Sequence, residues 1–310
     1  MDAIRATALV KTFGAARAVN GLDLTVAPGE IFGLVGPDGA GKTTTMRLLT
    51  AIMAPTSGDA WVGGHHIVRD AEAIKEEIGY MSQRFGLYPD LSVMENIGFY
   101  ADIYGVPRRG RTEKVDRLLA FSNLTPFKRR LAGNLSGGMK QKLGLECALI
   151  HTPKVLFLDE PTNGVDPVSR RDFWGILYQL VRDGVTIFVS TAYLDEAERC
   201  NRVGLMHQGR LLAVDTPGQV KKLMPGTILE IRGHTLRAAA ARLKESFPPA
   251  SVGLFGDRIH LVTREPERAA RDAGAALAAS GFRADSIQPI APTLEDVFIA
   301  VVGSQPGDRA

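Results

Sequence analysis

At 310 residues, 45% of them hydrophobic, the chain is long enough for one large domain and a small one and can fill both cores, which excludes a disordered polypeptide. A formal charge of +3, with no long Lys/Arg block, excludes a strong electrostatic footprint for nucleic acid, and RRGR near Arg108 reads as a short solvated loop. Two cysteines far apart, Cys147 and Cys200, with no CxxC spacing, exclude a disulfide framework or zinc site and fit a reducing compartment.

The opening MDAIRATALVKTFG has no basic stretch leading into an apolar one, and no window approaches about eighteen consecutive apolar residues, so the chain is expected to span no membrane. Strands are predicted from Ile4 to Val10 and from Glu30 to Val35, the second passing through GPDGAGKTT into the apolar-periodic MRLLTAIM. From residue 84 to about 150 the pattern turns helical, in MENIGFYADIYG, in TEKVDRLLAFSNL and after Gly138, before the strand VLFLD. That reads as a helical insert within an α/β core. After Asp166 come a helix through Trp174 and Leu180, the strand VTIFVST, a helix through Glu196, and a hairpin turning at Gln208-Gly209.

The core closes near Pro217, and Pro225-Gly226 opens a segment richer in Ala and Arg. The predicted domains are therefore residues 1–225 and 226–303, with a flexible tail over 304–310. The second segment runs ILEIRG, LRAAAARLKESF, SVGLF, RIHLV, ERAARDAGAALAAS and FRADSIQPI, the β-α-β-β-α-β order of a ferredoxin-like domain, with TLEDVFIAVVG as a last helix. Leu236, Ala240, Leu243 and Phe247 fall on one face of its first helix.

GPDGAGKTT satisfies G-x-x-x-x-G-K-[ST] with a strand before it and a helix after it. Gly36, Gly39 and Gly41, with Pro37, Asp38 and Ala40 between them, let backbone N–H groups wrap phosphate oxygens at a helix N-terminus. Lys42 would reach the β- and γ-phosphates, the Thr43 hydroxyl Mg²⁺, and Thr44 a further phosphate oxygen. VLFLDE buries an apolar strand and releases two carboxylates at its C-terminal end, where open α/β sheets bind ligands. Asp159 would hold the Mg²⁺ shell, and Glu160 would orient or deprotonate the attacking water. LSGGMKQK puts Ser136, Gly137 and Gly138 at a helix N-terminus, a second anion site.

This set of motifs, in this order, resembles the ABC ATPases. The resemblance implies a P-loop NTPase core, a RecA-like sheet plus helical subdomain, followed by a small α+β domain. It also implies that Ser136, Gly137 and Gly138 cap an ATP bound by a partner, in a head-to-tail dimer with two ATPs between subunits. Gln83 falls where the family's Q-loop contacts metal or water, although a surface glutamine alone says little. Phe13 matches the aromatic that stacks on adenine, yet a Phe near a strand is more often core. Asp166 matches the loop that crosses the dimer interface; Asp-Pro is equally a turn and helix start.

One position departs from the family. Where a histidine is usual, in a string like STHYMDEAE, the chain reads STAYLDEAE, with Ala192 in the histidine's place. A methyl group cannot hydrogen-bond the γ-phosphate, and losing a bond to a charged group costs about 1.5–3 kcal/mol, roughly a ten- to hundredfold slower step. This suggests pairing with a paralogous ATPase that keeps its histidine; the alternative is that Tyr193 or a water substitutes.

The ending PTLEDVFIAVVG resembles the extra domain of daunorubicin-resistance-type efflux ATPases, and GPDGAGKTT, FGLYPDLSVMENI and STAYLDEAE resemble the branch that often fuses two ATPase units. The chain carries one such unit. The resemblance implies ATP-driven export of drug-like compounds through separate membrane subunits, a second ATPase subunit, identical or paralogous, and a location on the cytoplasmic face of the membrane. A ribosome-directed ABC factor would carry two units with a basic linker, and a DNA-repair type a long coiled coil; neither pattern occurs. A weakly hydrolysing regulatory subunit is the other expectation.

Overall fold

The computed structural model describes residues 2–84, 86–248 and 251–303. The expected tail at 304–310 and Phe85 of FGLYPDLSVMENI lie outside the described residues. Two compact units emerge, Met1–Thr216 and Pro217–Ala310. The division thus falls where the sequence closes the core, at Pro217, and not at the compositional change at Pro225-Gly226.

In the first unit, strands β1 (Ile4–Phe13), β2 (Ala16–Val26), β4 (Ser57–Val62) and β5 (His65–His66) form an antiparallel sheet in the order β2-β1-β4-β5. A six-stranded sheet combines β3 (Ile31–Val35), β6 (Ile78–Met81), β7 (Val155–Asp159), β8 (Thr186–Thr191), β9 (Arg202–His207) and β10 (Arg210–Asp215) in the order β10-β9-β3-β8-β7-β6. Its neighbours are parallel except β10, which returns antiparallel to β9. Every residue of β3, β7 and β8 is buried, which is why these strands read as unbroken apolar runs. Phe32 and Phe188 stack with centroids 5.3 Å apart in a core that also takes in Leu9, Leu24 and Val62 of the antiparallel sheet. The β9–β10 turn has Gln208 at φ 46° and Gly209 at φ 78°, the two left-handed residues that let a two-residue hairpin follow the strand twist.

Helix α1 (Lys42–Leu49) follows β3 and is shorter than MRLLTAIM predicts: Thr50 caps it and Ala51 turns left-handed at φ 56°. Helix α2 (Ala71–Glu77) leads into β6. The predicted helical insert is present as α3 (Val93–Ile103), α4 (Arg111–Phe121) and α5 (Gly137–Leu149) around an apolar cluster of its own that includes Ile97, Leu119, Leu143 and Ile150. Ser92 and Glu95 close a reciprocal capping box at the start of α3. The buried Asn96 amide donates to the carbonyls of Tyr88, Leu91 and Ser92, pinning the preceding loop. Helices α6 (Pro167–Arg182) and α7 (Leu194–Ala197) flank β8.

The second unit holds α8 (Pro217–Lys221), β11 (Thr227–Gly233), α9 (Leu236–Ser246), β12 (Val252–Phe255), β13 (Arg258–Thr263), α10 (Pro266–Ala279), β14 (Ala284–Ile290) and α11 (Leu294–Gly303). Helix α8 belongs to it because α8 packs on α11. The sheet order is β12-β13-β11-β14, all antiparallel, as a ferredoxin-like domain requires. Leu229, Ile231, Ile259 and Leu261 meet Ala240, Leu243, Ala273 and Leu277 on one face, with Leu236 and Phe247 packed at its edge. On the opposite side His260 Nδ1 lies 2.7 Å from Asp296 Oδ1, tying α11 to β13.

Candidate functional site

The buried strand β3 delivers the chain to a loop with two close approaches. A Cβ on Gly36 would lie 2.1 Å from the Met206 carbonyl oxygen, and one on Gly41, at φ 107°, 2.1 Å from that of Ala18. Only glycine fits either place. Beyond Gly41 the chain enters α1, so the unpaired N–H groups of a helix N-terminus face the loop. Lys42 is 4% exposed, its ammonium folded back into the loop, donating to the carbonyls of Gly36 (2.8 Å) and Pro37 (3.1 Å). It also pairs with Glu160 Oε1 at 3.1 Å.

Strand β7 ends at Asp159, 1% exposed, and the chain then turns sharply with Glu160 in the left-handed region at φ 49°. That conformation costs a β-carbon-bearing residue on the order of 1–3 kcal/mol. Ser190 on the neighbouring β8 holds it: the Glu160 N–H bonds to the Ser190 carbonyl (3.1 Å) and hydroxyl (3.0 Å), while that hydroxyl donates to Asp159 Oδ1 at 2.6 Å. The Thr43 hydroxyl reaches the same Oδ1 at 3.2 Å. The other oxygen, Asp159 Oδ2, is buried without a hydrogen-bond partner among the described residues. A carboxylate with one free, buried oxygen beside a threonine hydroxyl is the hard-oxygen donor set that suits Mg²⁺.

Glu160 gathers the remaining groups. Gln83 Nε2 donates to its Oε2 at 2.9 Å and Asn163 Nδ2 to the same oxygen at 3.4 Å. Asp38, Gly39, Gly41, Lys42, Thr43 and Thr44 share a cavity of about 320 Å³ with Ala18, Gln83 and Glu160. The loop, Asp159, Glu160 and Gln83 are thus brought together from segments far apart in sequence.

Other expected residues stand elsewhere. Ser136 caps α5, its hydroxyl accepting from the Met139 N–H at 3.3 Å, and it and Gly137 are exposed. Gly138 lies so close to α6 that a Cβ there would meet the Ser169 side chain at 2.5 Å. Asp166 caps α6, accepting from the N–H groups of Val168 (3.1 Å) and Ser169 (2.9 Å), and the Ser169 bond holds its carboxyl below the usual range. Phe13 is 49% exposed, with Lys11 Nζ 5.3 Å from its ring centroid. None of these five lines the cavity at Lys42. Ala192 lines a second cavity of about 150 Å³ together with Asp38, Glu160, Thr162, Asn163, Thr191 and Tyr193.

The sequence pattern does not single out Ser190, Asn163 or Glu196. Ser190 and Glu196 lie within STAYLDEAE, but their side chains become legible only through contacts. The Glu196 carboxylate, fully buried, accepts from Thr162 Oγ1 (2.5 Å) and Thr191 Oγ1 (3.0 Å) and faces Arg170 Nε at 3.3 Å.

The family model described as ABC transporter matches residues 19–163. Over 288 residues the chain is 44% identical to the "Probable multidrug ABC transporter ATP-binding protein YbhF" of Escherichia coli K12, covering 92% of this chain and 49% of that protein. It therefore spans about half the length of that relative. Over 313 residues it is 33% identical to the "Daunorubicin/doxorubicin resistance ATP-binding protein DrrA" of Streptomyces peucetius, covering 99% of this chain and 94% of that one. Among solved structures, a nucleotide-free ATP-binding cassette from an ABC transporter aligns with a TM-score of 0.65 and 25% identity, covering 72% of this chain and 94% of that one.

Proposed function

The chain belongs to the ABC transporter family of ATP-binding proteins, and from that premise we propose that it binds and hydrolyses ATP to drive export of drug-like or other hydrophobic compounds through separate membrane subunits. The observation that carries the reading is the convergence on one cavity of the glycine loop, Lys42 and Thr43 with Glu160 and Gln83, Asp159 being bonded to the Thr43 hydroxyl.

The loop N–H groups and Lys42 bind and orient the phosphates, so Lys42 exchanges its contact with Glu160 for phosphate oxygens. Thr43 and Asp159 would hold Mg²⁺, with Gln83 beside them, and the ion would supply positive charge against the phosphate oxygens. Glu160, released from Lys42, orients the attacking water and accepts its proton, while Gln83 keeps the carboxylate in place. Phe13 packs against adenine. Ser136, Gly137, Gly138 and Asp166 serve the nucleotide of a second ATPase subunit, identical or paralogous, packed head to tail. Attachment to the membrane through the transport partners is part of the same proposal; among the described residues no helix is long and apolar enough to cross a membrane.

The relatives' names, multidrug transporter and daunorubicin resistance, support export as the direction. Ala192 favours a second reading, a weakly hydrolysing subunit paired with an active paralogue. Calorimetric titration of the full chain with ATP tests the site: Lys42→Ala is expected to abolish binding, and Asp159→Asn to remove the tightening by Mg²⁺ while leaving metal-free binding measurable. Unchanged titrations of both variants would overturn the assignment.

A further inference from the structure

The cavity that Ala192 lines also borders Glu160, Asn163 and Tyr193, and a directed chain of hydrogen bonds reaches the Glu160 carboxylate through the last two. The Tyr193 hydroxyl donates to Asn163 Oδ1 at 3.4 Å, and Asn163 Nδ2 donates to Glu160 Oε2 at 3.4 Å. Both links run the same way: an O–H to an amide oxygen, then an amide N–H to a carboxylate. They are long in the free chain, as catalytic hydrogen bonds often are before the reacting groups arrive.

The phenol is held on a rigid frame. The Tyr193 N–H bonds to Thr191 Oγ1 at 2.9 Å, and that hydroxyl donates to the buried Glu196. The same Glu196 faces Arg170, whose guanidinium lies 4.6 Å from the centroid of the Tyr193 ring, a cation–π contact. Ring and backbone of Tyr193 are thus both referred to one buried carboxylate. On the other side of Glu160, Lys42 takes Oε1, and among the described residues Gln83 and Asn163 hold Oε2.

We propose that Tyr193, acting through Asn163 and clamped by Arg170, is a positioning residue for Glu160 and performs the orienting task that Ala192 cannot. The proposal rests on Glu160 being the group that orients the attacking water. It predicts a site that turns over without a histidine and depends on a phenol hydroxyl instead.

Steady-state phosphate release from MgATP by the full chain tests it, with Tyr193→Phe, Asn163→Ala, the double variant, and Glu160→Gln as the floor. Tyr193→Phe keeps the ring over Arg170, and Asn163 is exposed, so both variants should fold; binding of a fluorescent ATP analogue checks this. Each single variant should lower kcat about tenfold with KM changed by less than about twofold. The double variant should be no slower than Asn163→Ala alone, because the two residues act in series. In an Ala192→His background, Tyr193→Phe should cost little. Wild-type kcat in Tyr193→Phe, losses that multiply in the double variant, or an effect on KM alone would overturn the proposal. Wild-type turnover at the Glu160→Gln floor would overturn the hydrolytic reading itself, and the proposal with it.

Discussion

Replacing Glu146 by glutamine should remove a pH dependence from the stability of the helical insert. Glu146 lies on α5, fully buried, and neither carboxyl oxygen has a hydrogen-bond partner among the described residues. Burial pushes this acid from 4.5 up to about 8; the nearby Ser122 hydroxyl opposes the rise, though its hydrogen goes to the Leu118 carbonyl at 3.2 Å. With the folded value above the unfolded one, its stabilisation is complete below pH 4.5 and is lost as pH rises to about 8. At about 1.36 kcal/mol per pH unit the loss is of the order of 3–5 kcal/mol. Urea unfolding of the full chain between pH 5 and 9 should show wild type losing stability towards pH 8, Glu146→Gln following a flatter curve, and Glu146→Met exceeding wild type at pH 8, where no charge need be buried. Parallel curves for wild type and Glu146→Gln would refute the reasoning.

Ser190→Ala removes the hydroxyl that donates to Asp159 and accepts from the Glu160 N–H; a loss of about 1.5–3 kcal/mol is expected, read as a fall in melting temperature of roughly 3–12 °C. Gly36→Ala forces a methyl against the Met206 carbonyl, so ATP binding by titration should disappear while circular dichroism stays that of a folded chain. Asp166→Ala should lower the melting temperature at pH 7 through loss of the α6 cap, and, because the carboxyl is held below 3.8, the difference from wild type should vanish only in stronger acid.

The parts of the fold visible in the sequence are those where local pattern and burial agree. Strands β3, β7 and β8 are buried on both faces and read as apolar runs, and the glycines at 36 and 41 mark contacts only a missing Cβ allows. The antiparallel sheet was harder to see. Strand β2 alternates over Ala16–Val26, but β1 carries register shifts between Ala6 and Leu9, and β5 is two residues long, so no sustained period marks the set. The second unit's β-α-β-β-α-β order followed from periodicity, but its start did not, since α8 is assigned by packing on α11 and not by composition. At the site, motif residues were legible by type and spacing. Ser190, Asn163 and Glu196 were not, because each acts by a side-chain contact across some thirty residues or around one strained turn.

The most direct test of the central claim is steady-state ATP turnover of the purified chain with Mg²⁺, across a concentration series that reveals dimerisation, beside Glu160→Gln and Ala192→His. Turnover that rises with dimer formation and falls to background in Glu160→Gln, with at most a modest gain from Ala192→His, is the predicted result. Wild type no faster than Glu160→Gln at every concentration, with Ala192→His restoring hydrolysis, would contradict it and make this chain the weak member of a pair.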